Sequence, residues 1–409
     1  MDSFNDLGIN PVLTEKLSQK QIEKPTAVQK TVIPRLLAGN SVIFRSATGT
    51  GKTLAYLLPA LHALLDDKDG GYGGGPAVLI CAPTLELCSQ IKAEADFFSP
   101  PLVSSLTALL TGSVKLDKQI ESLRKKRPAI VVGNPVRLLA LAKMGKLKFN
   151  NLRFLIMDEA DRLTAQECLD ETEELLAVIA RYVKRRMENN LCLAACSATV
   201  GKKTCGLLGP LFRAAELVES DDHEILREYI EHWAIFSEKR RKVQTLRSLF
   251  AALKAKKSRV KALVFTSRGD EAALLLSRLQ YHHIAAAGLF GKTGKKPVSS
   301  EERKAALESF RGGKVEALVS TDLAARGLDI LGITHVIALD VPQDGEVYIH
   351  RCGRTGRAGK RGVMITIGDE TQMRLLASLE KKLKIRIQPK ELYEGKICVP
   401  QIDDEEEDE

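Results

Sequence analysis

Short apolar runs alternate along this chain with longer stretches whose apolar residues recur at helical spacing. In the first half the runs fall at 42–44, 77–80, 129–132, 154–157 and 191–195, and in the second at 262–265, 317–319, 335–339 and 363–367. Runs apolar on both sides, separated by helical patterns, predict parallel sheets covered by helices on both faces. The stretch after Phe44 shows the helical half of the pattern, since Leu54, Ala55, Leu57, Leu58, Leu61, Leu64 and Leu65 form one wide stripe. The polar, acidic segment 219–224 follows the last run of the first set and reads as a linker. The glycine-rich segment 70–75 lies within the first half and reads as a surface loop. The expected organisation is an α/β domain over 1–219, a linker over 220–228, a second domain over 229–395, and a disordered acidic tail over 396–409.

A length of 409 residues is enough for two domains that each bury a core. No apolar run approaches the ~18 residues of a membrane span, and the N-terminus lacks the basic-then-apolar pattern of a signal peptide. A cytosolic or nuclear protein is expected, with the cytoplasm as the assigned compartment and a monomer as the assigned state. Charge is uneven: 61 Lys and Arg face 52 Asp and Glu, and 403–409 are seven consecutive acids. A body this basic fits a polyanionic partner or simply a solvated surface, and charge alone does not choose. The eight cysteines include no Cys-x-x-Cys pair and several lie in apolar runs, which reads as reduced core thiols rather than a zinc site.

In open parallel sheets, ligands bind beyond the carboxyl ends of the strands, and several runs end in polar clusters. Ser46-Ala-Thr-Gly-Thr-Gly-Lys-Thr53 joins a run to a helix. Gly49 and Gly51 let the backbone curl so that the N–H groups of Ser46, Ala47, Thr48, Gly49 and Thr50 face a phosphate. Lys52 reaches the outer phosphates and the Thr53 hydroxyl takes Mg²⁺. Asp158-Glu-Ala-Asp161 follows the run at 154–157. Alone it reads equally as a helix N-terminus. With the phosphate loop upstream, Asp158 is the Mg²⁺ partner and Glu159 the group that orients or deprotonates the attacking water. His350-Arg-Cys-Gly-Arg-Thr-Gly-Arg357 carries three arginines, and Gly353 and Gly356 argue against a helix there, which predicts a segment facing a polyanion.

In the order and spacing of these motifs, from about Phe4 to Leu392, the chain resembles the DEAD-box RNA helicases of superfamily 2. The resemblance implies two tandem RecA-like domains, with ATP and RNA sites at the interdomain cleft. Pro25-Thr-Ala-Val-Gln29 resembles the Q motif, which implies that Gln29 reads the adenine edge and Phe4 stacks on the ring. Ser197-Ala-Thr199 resembles the motif that couples hydrolysis to strand separation through Asp161. Ser320-Thr-Asp-Leu-Ala-Ala-Arg-Gly-Leu-Asp329 resembles motif V, implying nucleotide contacts at Gly327 and Asp329. Arg354 and Arg357 match the arginine fingers, with His350 and Arg351 completing that motif. RNA contacts are implied at Pro83, Thr84, Arg137, Arg303, Thr321 and Asp322.

Departures gather on the RNA-facing side. Leu85 stands where the family has an arginine, Cys88 where it has alanine, Thr111-Gly-Ser113 replaces a double glycine, and Asn134-Pro-Val-Arg137 replaces Thr-Pro-Gly-Arg. The segment 288–297 lacks the family's His-Gly and carries Lys292, Lys295 and Lys296. Two functions follow: an RNA-dependent ATPase that unwinds short duplexes or remodels ribonucleoproteins, or an ATP-gated RNA clamp with weak unwinding.

Overall fold

A computed structural model describes residues 3–45, 50–66, 75–99, 107–184, 191–197, 206, 215–219, 229–255, 260–290, 292–293, 296–325, 330, 332–356 and 360–400. The chain divides into two compact units, Met1–Ser220 and Asp221–Glu409. Residues 220–228, expected as the linker, and 403–409, the acidic run, lie outside the described residues.

The first unit is built on strands β1 (Val42–Arg45), β2 (Val78–Cys81), β3 (Thr107–Leu110), β4 (Ile130–Gly133), β5 (Phe154–Met157), β6 (Cys192–Ser197) and β7 (Glu216–Glu219). They form one sheet in the order β3-β4-β2-β5-β6-β1-β7, every pair parallel. Why the apolar runs are continuous is visible in β5. Phe154 and Ile156 enter the core under helices Lys52–Leu65 and Leu85–Phe98, while Leu155 and Met157 enter a second core under Pro135–Lys143 and Leu169–Lys184. A strand covered on both faces has no polar side.

The second unit repeats the plan with β8 (Ile230–Phe236), β9 (Ala262–Phe265), β10 (Ala286–Leu289), β13 (Ala317–Ser320), β14 (His335–Ala338), β15 (Gly362–Gly368), β16 (Ile387–Tyr393) and β17 (Lys396–Cys398). Their order, β10-β13-β9-β14-β15-β8-β16-β17, matches that of the first sheet strand for strand until β17 is added at the edge. The short strands β11 (Lys292–Thr293) and β12 (Lys296–Pro297) pair separately as a hairpin.

The nine apolar runs all correspond to strands, with ends shifted by at most two residues. The edge strands β3, β7, β10 and β17 are not among them. Nor are β8, whose burial is mixed, and β16, which is half-buried or exposed at every residue. Placing the tail at 396 is also corrected: Lys396–Cys398 pairs antiparallel with β16 through Glu391 and Cys398. Glu394 and Gly395, at φ 46° and 73°, form the tight connection, and positive φ at both central residues suits a two-residue hairpin.

Parallel register brings the strand ends into line. Arg45 sits opposite Ser197, Cys81 opposite Met157 and Gly133, and Leu110 opposite Gly133. These strand ends therefore share one rim of the first unit. In the second unit Leu289, Ser320, Phe265 and Ala338 align likewise.

Candidate active site and RNA-facing loops

The carboxylate of Asp158, which is fully buried, is the centre of the first rim. It follows β5 directly, and its Oδ1 accepts the backbone N–H of Glu159 at 2.8 Å. Lys52 Nζ, on the first residue of helix Lys52–Leu65, lies 3.5 Å from the same oxygen. Burial alone would lower the Lys52 pKa, but the charges of Asp158, Glu159 and Asp161 outweigh it and the net shift is upward. Lys52 is therefore a fixed positive charge at the start of a helix, whose unsatisfied N–H groups add to it. Two further groups, neither of which sequence reasoning assigned to the site, hold Asp158. Tyr56 Oη donates to Oδ2 at 2.8 Å and Cys196 Sγ to Oδ1 at 2.8 Å. A tyrosine within an apolar stripe was the signal available, because a buried phenol needs a partner.

Glu159 turns the chain from β5 into helix Ala160–Leu163 through a left-handed conformation, φ 52° and ψ 53°. That region is uncommon for a residue with a side chain and clusters at functional sites. Its Oε2 lies 3.4 Å from Arg162 Nη1. Asp161 meets Ser197, whose Oγ accepts the Asp161 backbone N–H at 3.3 Å. Burial and the Glu159 charge raise the Asp161 pKa, with Lys52 opposing, and its buried Oδ1 has no hydrogen-bond partner among the described residues.

Gln29 stands beside the phosphate loop. Its Nε2 donates to the Gly51 carbonyl at 2.9 Å, and its Oε1 accepts from Thr26 N at 2.9 Å, closing a box at the start of helix Ala27–Leu37. Among the described residues these bonds leave one amide hydrogen and one lone pair for another partner. Gly51 has φ 86°, and a Cβ there would come within 2.4 Å of Gln29 Nε2, so the loop needs glycine for both shape and room. Thr50 is buried, as is Pro25, and Phe4 is packed in the apolar core with Leu7 and Leu13. Thr53, the next residue after Lys52, lies on the same helix three residues before Tyr56. Thr53 and Asp158 offer hydroxyl and carboxylate oxygens only, the donor chemistry of a hard cation that keeps several waters. Ser46, Ala47, Thr48, Gly49, Thr199, Gly327, Asp329 and Arg357 lie outside the described residues.

The loops expected to face RNA are differently made. Thr84 caps helix Leu85–Phe98, accepting from Leu87 N at 3.2 Å, while Pro83 and Leu85 are half-buried beside it. Cys88 is buried, its thiol donating to the Ala82 carbonyl, and burial pushes it up to about 12. Arg137 Nη1 donates to the Val114 carbonyl at 3.1 Å and to Gln119 Oε1 at 2.9 Å. Val136, one residue before it, is 54% exposed.

In the second unit the arginine segment differs from the expectation. His350, Arg351 and Cys352 form the last turn of helix Gly345–Cys352, and Gly353 is its C-cap rather than a breaker within it. Arg351 is 2% exposed. Its Nε and Nη2 grip both oxygens of Asp322 at 2.7 Å, Nη2 also reaches Asp340 Oδ2 at 2.9 Å, and the guanidinium lies 5.2 Å from the Phe265 ring centroid. Asp322, expected on RNA, thus spends its carboxylate on Arg351. Asp340 was missed because nothing local marks an aspartate after a strand as an ion-pair partner. Arg354 is also buried, with Nε donating to the His350 carbonyl at 3.2 Å. Thr321 is half-buried beside Ser320, whose Oγ bonds the Leu289 and Thr321 carbonyls, and Arg303 lies on helix Ser300–Arg311.

Comparison with known proteins matches these parts as a set. The DEAD/DEAH box helicase model aligns with residues 26–206 and the helicase conserved C-terminal domain model with 241–359. A DEAD-box ATP-dependent RNA helicase, CshC of Bacillus cereus, is 34% identical over 387 residues, spanning 95% of this chain and 93% of that protein. The probable ATP-dependent RNA helicase YfmL of Bacillus subtilis is 31% identical over 386 residues, spanning 94% and 96%. The solved structure of Mss116p bound to ssRNA and AMP-PNP matches with a TM-score of 0.81 and 26% identity, covering 94% of this chain and 78% of that one. Dbp5 of S. cerevisiae, bound to RNA and ADP BeF3, shares the fold at a TM-score of 0.78 and 23% identity, covering 96% of each chain. With its motifs in family order on two sheets of identical strand order, the chain belongs to the DEAD-box RNA helicases and is built of two RecA-like domains.

Proposed function

We propose that this protein is an RNA-dependent ATPase that separates short RNA duplexes or remodels ribonucleoproteins. The observation that carries the reading is the contact of Lys52 with Asp158 at 3.5 Å, which joins the phosphate loop to the acidic motif on one buried rim. Lys52 neutralises the outer phosphates of ATP, and the loop Ser46–Thr50 cradles them. Gln29 offers its remaining donor and acceptor to the adenine edge, selecting ATP among nucleotides. Thr53 and Asp158 hold Mg²⁺, which when bound neutralises charge on the transferring phosphoryl group. Glu159 orients the attacking water and takes its proton. Arg354 and Arg357 add positive charge at the phosphates once ATP and RNA are both bound. Arginine fingers in related phosphoryl transfer contribute ~10³–10⁵ in rate, so hydrolysis without RNA is slow.

Arg351 has a different part, fixing the helix that carries His350 and Arg354 through Asp322 and Asp340. RNA is held through sugar and phosphate, with discrimination by the 2′-OH, by Thr84, Arg303 and Thr321 among others. Action in the cytoplasm fits the described cysteines, all of which are free thiols, as a reducing compartment keeps them. Among the described residues no helix is long and apolar enough to cross a membrane.

The clamp reading has its own support. Arg137 is engaged within its unit, and Leu85 and Val136 present no phosphate-binding group. Displacement of a short labelled strand from an RNA duplex separates the two. The helicase releases the strand when ATP is added and not with a non-hydrolysable analogue. ATP-dependent RNA retention without release would assign the clamp instead.

A further inference from the structure

Tyr56 is fully buried one turn into helix Lys52–Leu65, in a stripe where the neighbouring Ala55, Leu57 and Leu58 are all apolar. A phenylalanine would fill the same space without placing a hydroxyl in the core, where an unpartnered polar group is costly. The hydroxyl is not idle. It donates to Asp158 Oδ2 at 2.8 Å, from the helix face that carries Thr53 three residues earlier. Asp158 Oδ1 is held separately, by Glu159 N and Cys196 Sγ, each at 2.8 Å. One hydroxyl, on the helix that carries Thr53, therefore anchors Asp158, which comes from a different element.

We propose that Tyr56 is a positioning residue that sets the protein's affinity for Mg²⁺, by holding the Asp158 carboxylate against the helix that carries Thr53 before nucleotide arrives. The proposal rests on the reading of Thr53 and Asp158 as the Mg²⁺-holding pair. Groups hydrogen-bonded to metal-holding carboxylates orient them, and losing such a partner costs 10–100-fold in metal affinity or activity as a rule. Without the hydroxyl, Asp158 Oδ2 loses its anchor, while the ring still packs.

The test uses the full chain and its Tyr56→Phe variant, with binding of a fluorescent ADP analogue measured in EDTA and across a Mg²⁺ titration. The proposal expects unchanged binding in EDTA and unchanged thermal unfolding without nucleotide, with the half-saturating Mg²⁺ concentration raised about tenfold. Restoring a high Mg²⁺ concentration should return the variant to wild-type binding. An unchanged Mg²⁺ midpoint overturns the proposal. So does an equal loss of binding in EDTA and in Mg²⁺, which would make the hydroxyl a support of the loop and not of the metal pair. Wild-type binding that ignores Mg²⁺ is a distinct outcome, since it would remove the metal reading of Thr53 and Asp158 on which the proposal rests.

Discussion

The nucleotide side of the first unit and the loops expected to face RNA grow from the ends of the same parallel strands, yet they are built in opposite ways. Around Asp158 every group is buried and answers another: Lys52, Tyr56, Cys196 and Glu159 all converge on one carboxylate. Along the RNA-facing loops, Leu85 is half-buried, Val136 is 54% exposed, and Arg137 bonds to its own unit. A buried charge must keep its partners, because an unpaired one costs several kcal/mol. A surface loop carries no such constraint and tolerates apolar replacement at little cost in stability. At Leu85 and Val136 the family residue is lost where only ligand contact would enforce it, while the buried set around Asp158 is kept.

The largest effect expected on this view comes from the buried arginine of the second unit. Arg351→Ala strands Asp322 and Asp340 and should destabilise the fold by about 3–5 kcal/mol, read by thermal or urea unfolding. Its half-buried counterpart in the first unit, Arg137→Ala, should cost only about 1 kcal/mol. Equal losses would break the contrast between enforced and unenforced positions.

Glu159→Gln comes next. Hydrolysis should fall about a hundredfold, the low end for losing a general base, while ATP binding persists because Asp158 and Lys52 are untouched. Unchanged turnover would remove Glu159 from its role. Gln29→Ala should reduce the preference for ATP over GTP by roughly fivefold, one net hydrogen bond of about 1 kcal/mol, checked by competition binding. The smallest effect is the repair of the RNA side. Leu85→Arg with Val136→Gly should tighten ATP-dependent RNA binding modestly. Its salt dependence should steepen by roughly 0.7 in log–log slope for each further phosphate neutralised on a single strand. An unchanged slope would mean that these positions do not meet RNA.

Much of the molecule was legible in sequence, for reasons specific to each element. Strands such as Phe154–Met157 are buried on both faces and cannot hide as anything but an apolar run. β16 is half-buried or exposed at every residue, and its mixed sequence left no run to read, while β8 places Glu231 and His232 ahead of its apolar stretch. Lys396–Cys398 was hidden in the approach to the acidic tail, although Glu394-Gly395 carried a turn signal. Within the site, Lys52 and Asp158 announced themselves because loop chemistry fixes their spacing to a strand end. The partners of Asp158 did not. Tyr56 and Cys196 are remote from it in sequence and belong to apolar segments, and only the fold shows that their polar atoms turn to the carboxylate. The same holds for Arg351, whose place in an arginine-rich motif pointed to a ligand while its side chain serves Asp322 and Asp340.

The account stands most directly on steady-state ATP hydrolysis by the wild-type chain, measured alone, with single-stranded RNA, and with DNA of matched sequence. It predicts slow turnover alone, a severalfold rise with RNA, and no comparable rise with DNA. Hydrolysis indifferent to RNA, or stimulated equally by DNA, would contradict it.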